Sequence, residues 1–532
     1  MPVTTTAALS GTSLLGATDH RGAGAPFQAI NPATGEALEP SYHDLAIADV
    51  SRASELATAA FDGYRDTTPQ KRAAFLDSIA QEIAALGDDL IARVTAETGI
   101  PAVRVRGELA RTLNQLRMFA DVLREGSWLQ ARIDPADAAR TPVAKPDLRQ
   151  RSIPLGPVAV FAASNFPLAF SVAGGDTASA LAAGAPVIVK AHPAHPGTSE
   201  LVGRAVRRAV DAHQLPEGTF SLLISASHSV GSALVTDPRI SAVGFTGSRA
   251  GGLALVTAAG ARAVPIPVFA EMSSVNPVFI LPEALAARAE QLGNDYIASV
   301  NTGTGQLCTS PGLVFVADTP DVDIFIAAAA RAVDSSASAP MLSARIAEAY
   351  DRGVRRIAES PGIERVAQGS ADVSLNSPSR TQLFVTNADE LLAQPGLAEE
   401  VFGPSSLIVK VPATQLLSMA ERLEGQLTAT VHADPGDYPL ARALLNTLEL
   451  AAGRIVFNGW PTGVDVGHAV IHGGPFPATT APATTSVGSR AIERFLRPVA
   501  YQNLPEALLP AELRQQNQLH IPRRFDGVLT TH

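Results

Sequence analysis

From residue 45 to about 125 the apolar positions recur at three- and four-residue intervals, as in Phe75, Ile79 and Ile83 or Leu90, Ile91 and Val94. That period predicts a layer of amphipathic helices. From residue 156 short apolar runs alternate with helical stretches: Gly156–Ala163, Ala185–Ala191, Ser221–Ile224, Ser241–Phe245 and Val264–Phe269 read as strands, with helices opening near 168 and at Thr198 and Ser199. Apolar strands separated by helical connections predict a parallel α/β sheet covered on both faces.

Three stretches depart from this rhythm. Residues 1–25 are rich in Ser, Thr, Gly and Ala, carry no charge before Asp19, lack the profile of a signal peptide and read as a flexible arm. The polar, proline-containing stretch after Trp128, up to Arg151, is too poor in apolar residues for a core of its own and reads as an excursion suited to oligomerisation. The uncharged run Ile153–Gly175 has the length of a membrane span, but Pro154, Pro157, Asn165, Pro167 and the Gly174-Gly175 pair favour a buried strand, turn and helix.

With 532 residues, 46% of them hydrophobic, the chain exceeds one core and suits two or three domains. Its single cysteine excludes intrachain disulfides and CxxC zinc sites and fits a reducing, cytoplasmic setting. The net charge of -10 is dispersed and no basic run occurs, which argues against nucleic-acid and membrane partners. Lysine occurs only at 71, 145, 190 and 410, so a retained lysine hints at a specific role.

The one cysteine, Cys308, lies in Asn301-Thr-Gly-Thr-Gly-Gln-Leu-Cys-Thr-Ser-Pro-Gly312, where glycines at 303, 305 and 312 leave room for close approach of a carbonyl substrate. Taken alone, this window also suits a small buried hydrophobe. The glycine fingerprint of a standard dinucleotide fold, G-x-G-x-x-G, is absent after the candidate strands. Gly244-Phe-Thr-Gly247-Ser248 instead follows a strand and opens a helix, so its free N–H groups and the Ser248 hydroxyl suit a phosphate.

Six ordered motifs resemble the aldehyde dehydrogenase superfamily: Phe161-Ala-Ala163-Ser-Asn165-Phe166-Pro167, Val187-Ile-Val-Lys190, Gly244–Ser248, Phe269-Ala-Glu271-Met272, Gly305-Gln-Leu-Cys308 and Glu399-Glu400-Val-Phe402-Gly-Pro404. The likeness runs from Asn31-Pro-Ala-Thr-Gly-Glu36 to about residue 500. It implies an α/β fold with a Rossmann-like cofactor domain (1–129 and 152–280), a second α/β catalytic domain (281–490), and oligomerisation segments at 130–151 and 491–532. It also implies a homodimer or homotetramer.

By the same resemblance Cys308 is the nucleophile, and the Asn165 amide with the Cys308 backbone N–H stabilises the oxyanion. Glu271 is the base that hydrolyses the thioester, and its apolar flanks predict burial and a raised pKa. The family roles of Lys190 and Glu400, with Phe402 beside it, are to hold the two riboses of NAD or NADP. Ala163 and Phe166 belong to the cofactor-contacting motif, with Phe166 also facing substrate.

Two departures from the family pattern stand out. Many NAD-preferring relatives carry a glutamate three residues after the strand lysine, whereas this chain has Lys190-Ala-His192-Pro193, which opens the site to NADP, with His192, Ser227 or His228 as further donors. The usual Pro-Phe-Gly-Gly-x-Lys is replaced by Gly473-Gly-Pro-Phe-Pro-Ala-Thr-Thr480. With Phe457–Val464, His468-Ala-Val-Ile-His472 and the tail Arg497–Pro505, this C-terminal portion resembles the branch of α-ketoglutaric semialdehyde dehydrogenases, with long-chain aldehyde enzymes nearby.

The expectation is therefore NAD(P)-dependent oxidation of α-ketoglutaric semialdehyde to 2-oxoglutarate with no metal, the alternative substrate being a medium- or long-chain aldehyde. A cation is needed for the distal carboxylate. Arg111 shares a helical stripe with Gln115 and is the candidate, whereas Arg117 points to another face. A thiol-dependent acyl hydrolase is the reading from another class, and it requires a histidine placed for the thiol.

Overall fold

The computed structural model describes residues 9–531. Four helices form the expected layer: α1 (Ile47–Arg65), α2 (Pro69–Ala84), α3 (Gly87–Thr98) and α4 (Ala102–Glu125). Phe75, Ile79, Ile83, Leu90, Ile91 and Val94 are all buried, in a core that also takes Val158, Val160, Val187 and Val189 from the neighbouring sheet. Thr68 caps α2 by accepting from the Lys71 N–H, with Pro69 at the first helical position, while Gly99 and Gly126 end α3 and α4 in the left-handed conformation.

The first seven-stranded sheet runs in the order Val268–Glu271, Ala242–Thr246, Val158–Phe161, Val187–Lys190, Phe220–Leu223, Ser13–Leu15, Thr18–His20. Its first five strands are parallel. Their registers pair Phe161 with Lys190 and Thr246 with Glu271, so the residues that end these strands lie along one carboxyl edge. Ligands of open parallel sheets bind at such an edge.

Three sequence expectations need correction. Residues 13–20 are not part of a flexible arm: Leu14 pairs with Leu222 and is fully buried, and Ser10 and Gly11 donate to the buried Glu200 carboxylate. Residues 1–8 lie outside the described part. The helix expected near 168 begins at Gly175; residues 167–174 form turns and bends, in which Glu108 of α4 accepts from the Leu168 and Ala169 N–H groups at 2.8 and 2.9 Å. The strand expected over Val264–Phe269 begins only at Val268, since Pro265 and Pro267 have no N–H to give a ladder.

The second seven-stranded sheet has the order Glu364–Gln368, Gln382–Asn387, Ser405–Val411, Leu313–Ala317, Val278–Ile280, Gln426–His432, Ala452–Phe457, parallel but for the first strand. The stretch after Trp128 is tied down within the chain. Arg132–Asp134 and Leu148–Pro154 join Leu496–Gln502, Arg523–Phe525 and Val528–Thr530 in a five-stranded sheet. No described helix is long and apolar enough to cross a membrane, and the Ile153–Gly175 run is divided among two strands, a turn and the start of a helix.

Candidate active site

Cys308 is set by the turn between helix Pro282–Asn301 and strand Leu313–Ala317. Gly305 in that turn has φ +63°, and a Cβ there would fall 2.3 Å from the Gly403 carbonyl carbon, so the chain can pass only with glycine. Asn276, itself fully buried, clamps the far side of the turn by donating to the Cys308 and Ser310 carbonyls at 2.8 and 2.9 Å. Asn165 is buried and donates one amide hydrogen to the Gln306 carbonyl at 3.0 Å, leaving the other free. The Cys308 N–H has no hydrogen-bond partner among the described residues. Asn165 and the Cys308 backbone thus present two unused donors beside the sulfur.

Glu271 ends the edge strand of the first sheet and is buried. The Gly473–Thr480 segment lies directly on this strand: the Met272 N–H donates to the Ala478 carbonyl at 2.8 Å and the Thr480 N–H to the Ala270 carbonyl at 3.1 Å. That path brings in a residue that sequence reasoning had not assigned to the site, the buried His472. Its Nε2 lies 2.8 Å from Glu271 Oε1 and 3.4 Å from Cys308 Sγ. The one nitrogen thus contacts both groups; Oε1 has no further partner among the described residues, while Oε2 accepts from the Ser486 hydroxyl at 2.5 Å.

These contacts reverse one sequence expectation. Burial does push the Glu271 carboxyl up, but His472 and Ser486 outweigh it and hold the group below its ordinary value. Cys308 moves the other way, since burial and the Glu271 charge raise the thiol well above its usual range. The resting sulfur is therefore a thiol, and the imidazole 3.4 Å away is within reach of its proton.

A cavity of about 560 Å³ opens onto Cys308 and His472, with Phe166, Phe170, Arg104 and Arg111 in its wall. The two arginines are seven residues apart on α4 and so share a face. Arg104 donates to the Asn165 carbonyl at 3.1 Å and lies over the Phe166 ring; Arg111 donates to the Val464 carbonyl and lies over Phe170. Neither has a carboxylate partner among the described residues, and the Nε of Arg111 is buried without a hydrogen bond. Gln115 does not line this cavity, because its amide packs against the position of Gly175; Arg117 is exposed.

The carboxyl edge of the first sheet gathers the remaining candidates. Lys190 donates to the Ala191 and Ser225 carbonyls at 2.9 and 2.7 Å, and burial lowers its pKa to about 8. Ser248 caps helix Arg249–Gly260 by accepting from the Gly251 N–H, while the Arg249 and Ala250 N–H groups have no partner among the described residues. Those two open donors at a helix start fit a phosphate. Gly247 donates to the Glu271 carbonyl at 3.1 Å, and a Cβ at Gly244 would meet the Asp176 carboxylate at 2.8 Å. Ala163 fixes the neighbouring loop, its carbonyl 2.9 Å from His195 Nε2. His192 stacks on His195, accepts from the Ala194 N–H and is held neutral by burial, so it adds no positive charge. Glu400 and Phe402 line a small cavity next to Gly305 and Leu307, where burial pushes the Glu400 carboxyl up to about 8.

Comparison with known proteins agrees with this geometry. The model of the aldehyde dehydrogenase family matches residues 19–475. The chain is 53% identical to α-ketoglutaric semialdehyde dehydrogenase 2 of Azospirillum brasilense over 98% of its own length and 99% of the relative's. It is 48% identical to α-ketoglutaric semialdehyde dehydrogenase of Acinetobacter baylyi, over 91% of each chain. Among solved structures, betaine aldehyde dehydrogenase of Staphylococcus aureus in complex with NAD+ superposes with a TM-score of 0.79 at 19% identity, covering 93% of this chain and 96% of that one. With a matched family model over most of its length and close relatives end to end, the chain belongs to the aldehyde dehydrogenase family.

Proposed function

We propose that the protein oxidises α-ketoglutaric semialdehyde to 2-oxoglutarate through a covalent intermediate on Cys308, with NADP or NAD as cofactor. The observation that carries the substrate is the cavity in front of the thiol: it holds two guanidinium groups, Arg104 and Arg111, without carboxylate partners among the described residues. Such a pair of cations suits an anionic aldehyde. The full-length relatives named for this substrate support the same reading.

In the reaction His472 takes the Cys308 proton as the sulfur adds to the aldehyde carbon, and the Glu271 charge 2.8 Å away stabilises the imidazolium that forms. The free Asn165 amide hydrogen and the Cys308 N–H meet the oxyanion of the thiohemiacetal. Nicotinamide cofactor, when bound, supplies the hydride acceptor that turns this adduct into a thioester. Lys190, the open N–H groups at the start of helix Arg249–Gly260, and Glu400 with Phe402 are the residues that would hold it. Glu271 then takes a proton from the water that attacks the thioester, and His472 returns its proton to the departing Cys308 thiolate as the acid is released. A histidine placed for the thiol is what the acyl-hydrolase reading demanded, and here the same residue serves both halves of the dehydrogenase reaction.

Arg111→Met is expected to raise KM for the semialdehyde about 10- to 100-fold, the equivalent of one hydrogen bond to a charged group, while sparing hexanal. Equal losses on both substrates would reject Arg111 as the anchor, and faster turnover of dodecanal than of the semialdehyde by the unaltered enzyme would reject the substrate. Since position 193 is proline, no carboxylate there repels a 2'-phosphate. NADP should therefore match or exceed NAD in kcat/KM, and a more than tenfold preference for NAD, about 1.4 kcal/mol, would overturn that assignment. A homo-oligomer in a reducing cytoplasm completes the proposal, supported by the exposed Leu508, Val528 and Leu529 in and near the five-stranded sheet and by the dependence on one free thiol.

A further inference from the structure

The three reacting side chains also meet the requirements of a metal centre. Cys308 Sγ, His472 Nε2 and one Glu271 carboxylate oxygen all lie within 4.8 Å of one another. Two of the spacings are 3.4 Å from Nε2 to the sulfur and 2.8 Å to Oε1. A tetrahedral Zn2+ with bonds of about 2.3 Å to sulfur and 2.0–2.2 Å to nitrogen and oxygen needs ligand atoms roughly 3.3–3.6 Å apart. The nitrogen–sulfur spacing already fits, and the nitrogen–oxygen spacing needs to open by about half an ångström.

A second observation points the same way. Glu271 Oε1 is buried, sits at this meeting point and has no hydrogen bond, so a cation there would satisfy an acceptor that the protein leaves open. Its companion Oε2 is already fixed by Ser486, the kind of support that ligating carboxylates receive in metal sites. The cavity of about 560 Å³ gives an entry path and room for water as a fourth ligand.

We propose that Zn2+ binds reversibly to Cys308, His472 and Glu271 and silences the enzyme by occupying its nucleophile and base together. Zn2+ displaces the thiol proton to solvent, after which thiolate, carboxylate and neutral imidazole bring two negative charges, so the zinc complex is neutral in a buried site beside Arg111. His472 Nδ1 has no acceptor among the described residues, whereas resident zinc sites usually anchor that nitrogen. The missing anchor makes this a site for regulation by free zinc and not for a permanent structural ion. The inference rests on the geometry of the three side chains and holds whichever aldehyde the enzyme uses.

The test needs neither cofactor nor aldehyde. Full-length protein is titrated with Zn2+ against a chromophoric chelator, and with Co2+, whose thiolate complex absorbs in the near ultraviolet. One metal per chain is expected, with loss of the charge-transfer band in Cys308→Ala and about 100-fold weaker zinc binding in His472→Ala. The unaltered protein supplies a control that does not depend on how the variants fold: saturating Zn2+ should block alkylation of the only cysteine by iodoacetamide, and a chelator should restore it. Alkylation at an unchanged rate under saturating Zn2+, uptake only at millimolar zinc, or equal binding by Cys308→Ala would each overturn the proposal.

Discussion

Cys308→Ala is expected to reduce steady-state cofactor reduction to background while leaving the fold and cofactor binding intact. Alanine keeps the Cβ and the backbone of the 305–311 turn, which Gly305, Asn276 and Gln306 hold without help from the sulfur. What disappears is the bond-forming atom, and with it every later step. The chain has no other cysteine to take its place. Fluorescence titration with NADP, run beside the rate assay, distinguishes lost chemistry from lost binding, and measurable turnover in this variant would reject the covalent route.

The second large effect concerns the two groups beside the sulfur, and it separates their roles. Glu271→Gln removes the charge facing His472 but preserves shape and the contact with Ser486. Its first turnover should stay fast in a stopped-flow trace, because losing the charge weakens the imidazolium but also removes the Glu271 charge that holds the thiol up, and steady-state turnover should then slow about 10²- to 10⁴-fold, because hydrolysis has lost the carboxylate that deprotonates water. His472→Asn removes the acceptor of the thiol proton itself. Here the burst should vanish and iodoacetamide should alkylate Cys308 far more slowly, since burial and the Glu271 charge leave the thiol protonated. A fast burst in His472→Asn would place the thiol's base elsewhere.

Much of this arrangement is legible in the chain, for physical reasons that differ from part to part. The α2 and α3 helices show in the spacing of Phe75, Ile79 and Ile83 and of Leu90, Ile91 and Val94 because each buries one stripe. The parallel strands show because both faces are covered, which leaves runs such as Val187–Val189 wholly apolar. The hairpin at 13–20 is hidden, since its six paired residues offer only Leu14 and Leu15 as apolar signal.

At the site, Cys308, Glu271 and Asn165 are marked by local motifs, but the direction of the Glu271 shift depends on His472, 201 residues further on. Nothing periodic marks His472: it lies in an irregular segment, and only the cross-chain pairing of Gly473–Thr480 with the edge strand sets its place. Arg104, by contrast, was within reach of sequence reasoning, because seven residues before Arg111 is two helical turns on the same face.

The late position of His472 has a consequence for how the enzyme comes into being. Synthesis proceeds from the N-terminus, and domains generally fold as they emerge. When residue 457 has been made, every strand of the two seven-stranded sheets exists, as does the turn that carries Cys308, yet His472 and Ser486 do not. The nascent thiol therefore lacks His472, and it gains this partner only when the segment after 470 settles on the edge strand. The base of the thiol is thus supplied by a segment made after both sheets that position the sulfur.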